Sequence, residues 1–336
     1  MPLQRPMKSI WRTPAREAVG SRQKAVGGHL PTPTCLLLSA FCFLLSACYP
    51  VTRPVVKIAL VAPFEGRYRD VGYEVIYAAR LAVREANASG GIAGYSVELL
   101  ALDDSGDPDM AVAQARKVAA DPLVVGVIGH WLDTTTLAAA PEYDAEGIPL
   151  LATTSSPNLP ASAFRLWPTD DALKAAMPDA LHCPAPCDTL ENLDWLITND
   201  QSPISNLQIV GPPLWGQPQF VSLAGDAAEG VYFVAPAPLP ADSADPSFAD
   251  RYRAISNGVE PRSYAVLAYD ATRLLFDAIA RDVKAKREPT RGGVSTSLAE
   301  SNYAGLSGHF SFDSDHNWAE ERGWVYQWRE EKSIKP

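Results

Sequence analysis

Residues 55–104 read VVKIALVAPFEGRYRDVGYEVIYAARLAVREANASGGIAGYSVELLALDD, and two periodicities alternate within them. Val55–Pro63 is β-branched and apolar apart from Lys57, the composition of a buried strand. Gly72–Asn87 then sets Val75, Ala78, Ala79, Ala82 and Val83 at helical spacing, and Ser89-Gly90-Gly91 stops the helix. Val97–Leu102 returns to strand composition. This alternation predicts a parallel sheet with crossover helices.

The same rhythm runs outward. A helix is expected over Pro108–Ala120, a strand over Leu123–Ile128, a helix over Thr134–Glu146 and a strand over Pro149–Ala152. Together these make one complete doubly wound half. From Ser155 to Asp188 the chain turns rich in Pro, Ala and Asp, and its strand candidates thin to Phe164–Trp167, Asp179–Cys183, Leu207–Val210 and Gly230–Val234. One helix is expected between them, over Thr189–Thr198. A strongly periodic helix covers Tyr264–Arg281, a polar linker Lys284–Gly293 follows, and strands His309–Phe312 and Gly323–Trp328 close the fold.

On the other side of residue 55 the chain is an export signal. A basic leader ends at Pro33, and Cys35–Ala47 is apolar apart from small hydroxyl residues. That run is too short to cross about 30 Å of hydrocarbon as a helix, but it suits the apolar region of a signal peptide. Leu45-Ser46-Ala47-Cys48 is similar to a bacterial lipobox, which makes Cys48 the expected lipidation site. A buried helix followed by an incidental cysteine is the alternative, and Met7 competes with Met1 as the start. The expected organisation is a signal over 1–47 and a tether over 48–54.

Removing the signal sharpens two counts. The whole chain carries a net charge of −10, and the remaining part holds 23 basic against 38 acidic residues. So acidic a domain repels phosphate backbones, and no basic stripe interleaves with aromatics, so no nucleic-acid partner is expected. Of five cysteines only Cys183 and Cys187 stay in the folded part, within His182-Cys-Pro-Ala-Pro-Cys187. Outside the reducing cytosol a small-loop disulfide leads, with two free thiols or a zinc site with His182 as alternatives. No second Cys/His cluster supplies the other zinc ligands.

The stretch Ile58–Leu159 resembles the first lobe of the leucine/isoleucine/valine-binding family of solute receptors. The resemblance rests on Ile92-Ala-Gly94, Leu102-Asp103-Asp104, Gly106-Asp107-Pro108 and Val127-Ile128-Gly129-His130, and further on Ala224–Gly230, Ala268-Tyr269-Asp270-Ala271, Phe312-Asp313 and Val325-Tyr326-Gln327-Trp328. It implies an α/β type I periplasmic-binding fold: two doubly wound parallel-sheet lobes joined by crossing strands, with a small molecule bound between them and an ABC permease as partner. Lobe 1 is then expected over 55–158 plus 262–305, and lobe 2 over 159–261 plus 306–336. Between Asp171 and Pro178 a handful of residues stand where the family has about two more βα units, so the second lobe is expected to be reduced.

Ligands of such sheets sit at the carboxyl ends of strands. The resemblance places a carboxylate-binding hydroxyl in the loop 130–136, where this chain has Asp133 followed by Thr134. It places hydroxyl and backbone contacts at Thr154 and Ser156, with Ser155 between them. An aspartate there repels a ligand carboxylate. Asp133 or Thr134 capping the helix 134–146 is the alternative, and it is compatible with ligand contact. In the second lobe Pro212-Pro213 replaces the family's ammonium-binding acid, with Trp215 beside it either stacking on ligand or packing. Arg67 and Tyr68 are expected at the cleft mouth or on the surface without a role.

Catalytic motifs fail. Asp313–Asn317 begins like a calcium loop, but Trp318 stands where its glycine belongs, and His309 spoils a Gly-x-Ser-x-Gly match. Neither an enzyme nor a cofactor is expected. The expectation is a lipid-anchored receptor on the extracytoplasmic face of the bacterial membrane. The alternative is a binding-fold lipoprotein that has lost its ligand and works as a protein-interaction or sensory partner.

Overall fold

The computed structural model describes residues 53–177, 179–182 and 209–336. Cys48, Cys183, Cys187 and the helix expected over Thr189–Thr198 lie outside the described residues. The first sheet contains β1 (Val55–Ala62), β2 (Ser96–Asp103), β3 (Val124–Gly129), β4 (Leu150–Ala152) and β5 (Ala163–Arg165). Its order is β2-β1-β3-β4-β5, parallel throughout, so the order reverses beside β1. Helices α1 (Arg69–Ala88), α2 (Pro108–Ala119) and α3 (Asp133–Ala145) make the crossovers.

Side-chain alternation divides β1 between two cores. Val56, Ile58, Leu60 and Ala62 enter the cluster with α1, while Ala59 and Val61 enter the cluster with α2 and α3. Burial on both faces is why the strand from Ile58 onward reads as an unbroken apolar run, while Lys57 near its exposed start pairs with Asp121. Helix α2 starts sharply because Asp107 accepts the N–H groups of Asp109 at 2.8 Å and Met110 at 2.9 Å, with Pro108 in the first turn.

Beyond β5 come α4 (Asp170–Ala175), β6 (Leu181–His182), β7 (Ile209–Gly211), α5 (Pro218–Ala224), β8 (Tyr232–Ala235), α6 (Phe248–Arg253), α7 (Ser263–Lys286) and α8 (Arg291–Ala299). A two-stranded ribbon, β9 (Tyr303–Ala304) and β10 (His309–Phe310), precedes β11 (Trp324–Arg329) and β12 (Lys332–Ile334). The second sheet has the order β12-β11-β8-β7-β6, parallel across β6, β7 and β8 and antiparallel from β8 to β12. Its strands β6 and β7 span two and three residues, against eight in β1.

Several expectations need correction. The strand sought at Phe164–Trp167 is β5, paired with β4 in the first sheet, whereas the sequence reading starts the second lobe at residue 159. Phe248, Tyr252, Phe310 and Trp318 likewise pack into the cluster around α1 and α7. The polar linker 284–293 is mostly structured: α7 runs to Lys286, Arg287 turns left-handed at φ 74°, and α8 begins at Arg291. The cause is Asp282, which accepts Thr290 N at 2.7 Å and Thr290 Oγ1 at 3.0 Å, while Thr290 Oγ1 caps Gly293 N at 3.1 Å. The strand expected over His309–Phe312 is the short β10, paired with β9 and not with the second sheet.

Two distant chain segments of the first core run side by side. Arg165 N donates to His316 O at 2.9 Å and Trp318 N donates to Arg165 O at 3.1 Å. The buried Arg165 guanidinium reaches Glu321 at 2.7 Å and Asn317 at 3.0 Å, and Glu321 also accepts Thr169 N at 3.0 Å and Thr169 Oγ1 at 2.8 Å.

Candidate functional site

The loop after β3 is shaped by a glycine that nothing else can replace. Gly129 has φ +150°, and a Cβ there would stand 2.3 Å from the Val61 carbonyl oxygen. His130 follows, fully buried, with Nδ1 at 2.8 Å from Asp104 Oδ2 and Nε2 at 3.0 Å from the Tyr143 hydroxyl. Burial, and then the charge of Asp104, pushes the Tyr143 hydroxyl far above its ordinary range. His130 N donates to Thr136 Oγ1 at 3.1 Å and Trp131 N to Thr153 Oγ1 at 2.8 Å, so this loop is tied to α3 and to the loop after β4.

Asp133 completes the link. Its carboxylate accepts the Thr154 hydroxyl, Ser155 N at 3.2 Å and Ser155 Oγ at 3.2 Å, and Thr154 Oγ1 in turn accepts Ser156 N at 3.1 Å. The cap alternative is thereby overturned: Leu132 is the N-cap residue of α3, and no side chain caps that helix. Asp133 spends its acceptors on the neighbouring loop, and Thr134 is exposed. Thr154 is fully buried, while Ser155 and Ser156 are half-buried.

Behind these loops lies an aromatic layer. Tyr264, at the start of α7, sits 6.0 Å from the Trp131 ring and 5.2 Å from the Trp167 ring. Burial raises its hydroxyl well above the ordinary range, and the charges of Glu74 and Asp133 add to that rise. Glu74 is itself buried on α1, accepting Arg262 N at 3.0 Å and Ala265 N at 2.7 Å, and so it caps α7 from another helix. Burial pushes its carboxyl up, opposed by hydrogen bonds from Ala265 and Gln217 and by the Arg262 charge.

At the mouth, Asp103 accepts Phe64 N at 2.7 Å, Ser105 N at 2.9 Å and Ser105 Oγ at 2.7 Å, fixing the chain ahead of Tyr68. Burial alone would raise that carboxyl, but these hydrogen bonds outweigh it and hold it below its ordinary range. Half-buried Tyr68 packs against the cores of both lobes. Trp215 is a correction: it is fully buried, stacked 4.8 Å from Phe220, and its carbonyl accepts Trp328 Nε1 at 2.8 Å. A side chain so enclosed packs the second lobe's core and offers no face to a ligand.

Hydrogen bonds therefore bring Asp133, Thr154, Ser155 and Ser156 together, Thr134 is exposed, and Tyr68 packs against the cluster that encloses Trp215. Glu74 was not among the expected residues, and its signal was a charge on the apolar stripe between Val71 and Ala78. Among the described residues no group of three or more His, Cys, Asp or Glu side chains could hold a metal ion, and no helix is long and apolar enough to cross a membrane.

The sequence profile of the family described as periplasmic binding protein matches residues 55–179 and 202–333. The Leu/Ile/Val-binding protein of Escherichia coli (strain K12) is 35% identical over 112 residues, 33% of this chain and 30% of that protein. The Leu/Ile/Val/Thr-binding protein of Salmonella typhimurium is 33% identical over 130 residues, 38% of this chain and 35% of that one. The match thus spans about a third of the length of these curated relatives. A branched-chain amino acid transporter substrate-binding protein from Streptococcus pneumoniae, solved with isoleucine, superposes with a TM-score of 0.70 at 20% identity, covering 84% of this chain and 100% of that one. A solute-binding protein from R. palustris, solved with benzoate, gives 0.64 at 18% identity over 83% and 95%. At such identities the likeness is one of fold.

Proposed function

This chain belongs to the periplasmic binding protein family, and on that premise we propose that it is an extracytoplasmic, lipid-anchored solute receptor serving an ABC-type importer of the branched-chain amino-acid class. It binds a small molecule between its lobes and catalyses nothing. The observation that carries the ligand class is the Asp133 carboxylate, which already holds the Thr154 and Ser155 donors. A ligand carboxylate entering this loop would meet like charge and occupied donors, at a cost of several kcal/mol if desolvated. A neutral or cationic ligand meets no such penalty. Tyr68, Thr134 and Ser156 are the remaining first-lobe contacts in this reading.

Calorimetry tests it with leucine, isoleucine and valine on one side and isoamylamine, which is leucine without its carboxylate, on the other. The amino acids are expected to give no binding heat at micromolar concentrations, and any amine binding is expected to weaken in Asp133→Asn. Micromolar binding of a branched-chain amino acid would overturn the ligand class. The second reading, a lipoprotein that works by protein interaction without a transported ligand, is favoured by the seating of Leu214 and Gln217 on the first lobe.

A further inference from the structure

The 3₁₀ turn Pro213–Gly216 faces two ways. Trp215 fixes it to the second lobe, stacked on Phe220 and bonded through its carbonyl to Trp328. Gly216 lets it lie flat, since a Cβ there would stand 2.6 Å from the Phe233 ring. The residues beside Trp215 turn outward. Leu214 is 5% exposed and belongs to the apolar cluster of the first lobe. Gln217, 3% exposed, donates its side-chain amide to the buried Glu74 carboxylate of α1.

The chain segment entering α7 joins the same contact. Arg262 donates its backbone N–H to Glu74 at 3.0 Å, and its guanidinium reaches the Gly216 carbonyl at 3.4 Å and Ser333 Oγ at 3.1 Å. That guanidinium also lies 5.1 Å from the Trp328 ring. One turn of the second lobe is thus seated on the first by an apolar side chain, a hydrogen bond to a buried carboxylate and the arginine between them. Separating the lobes here exposes Leu214 to water and strips Glu74 of a donor, and both changes oppose opening.

We propose that Leu214 and Gln217 form an intramolecular latch that holds the second lobe against the first by the protein's own contacts. Lobe apposition is then set by this turn before any solute arrives, and a solute's apparent affinity is scaled by the fraction of molecules that have released it. The latch goes beyond the receptor reading and is independent of which ligand binds.

Single-molecule energy transfer on the full chain tests it, with fluorophores on non-natural residues at exposed Arg84 of the first lobe and exposed Leu223 of the second. The parent protein, with no solute added, should show one narrow high-transfer population. Leu214→Ala combined with Gln217→Ala should broaden it and shift it to lower transfer while the far-UV circular dichroism stays folded. If the double variant does not fold, Gln217→Ala alone carries the test and should give a smaller shift in the same direction. A parent already spread over low-transfer states, or folded variants with an unchanged histogram, would overturn the latch. Calorimetry on the parent addresses the receptor reading separately, so the two ideas fail by different results.

Discussion

His130 Nδ1 lies 2.8 Å from Asp104 Oδ2, and neither side chain touches solvent. The imidazole also meets the Tyr143 hydroxyl on its other nitrogen, so it joins the end of β2 to α3 from the loop that leads into Asp133. His130→Ala leaves Asp104 with the Gly106 N–H and no side-chain partner. Stripping a buried acid of its partner costs about 3–5 kcal/mol, a large part of a typical domain's stability. Urea unfolding followed by circular dichroism should show that loss, and a change below about 1 kcal/mol would contradict this account of the network.

Asp133→Ser should change what the loop can bind. The substitution removes the like charge and releases the Thr154 and Ser155 donors. Affinity for branched-chain amino acids should rise at least about tenfold, equivalent to about 1.4 kcal/mol. Titration calorimetry of parent and variant decides it. Equal, absent binding in both would place the obstacle in the second lobe.

Asp270 makes stability depend on pH. Burial raises its carboxyl to about 6, against hydrogen bonds from Ser307 and Leu306 that lower it. The folded state therefore holds this proton more tightly than the unfolded chain, whose aspartate titrates near 3.9. The contribution is fully present below about pH 4 and is lost as pH rises through about 6, amounting to about 2–3 kcal/mol. Asp270→Asn should remove this component of the pH profile even if its absolute stability is lower. Urea midpoints at pH 4, 5, 6 and 7 measure it, and parallel profiles for the two proteins would count against it.

Cys48→Ser should accumulate as an uncleaved, unlipidated precursor, because lipid transfer needs the thiol. Intact-mass spectrometry of the membrane fraction reads this directly. A parent chain without diacylglycerol at residue 48 would remove the anchor from the proposed function.

Much of the first lobe is legible because β1, β3 and β4 are buried on both faces and α1 and α2 carry clear apolar stripes. β1, α1 and α2 follow the expected pattern closely, and Asp107-Pro108 announces a helix start in two residues. The second lobe reads poorly since β6 and β7 are too short to show a period. The partners of Asp133 were equally hidden, for its bonds to Thr154 and Ser155 cross 21 and 22 residues of chain. Trp215 misled for a simpler reason: an indole in a Pro-rich stretch looks the same in sequence whether it faces solvent or a core. The turn from Asp282 to Thr290 shows the converse, a polar run that looked like a linker because its side chains hydrogen-bond to each other and to nearby backbone.

The pairing of Arg165 with Trp318, tightened by Glu321, also constrains how the molecule can flex. Two separate strands of chain could each bend about their own axis. Bonded edge to edge, they behave as a single flat ribbon, which folds readily across its face but resists shear in its plane. A bend in either segment must therefore carry the other with it, so the stretch from Arg165 to Thr169 and the stretch from His316 to Glu321 move as one unit.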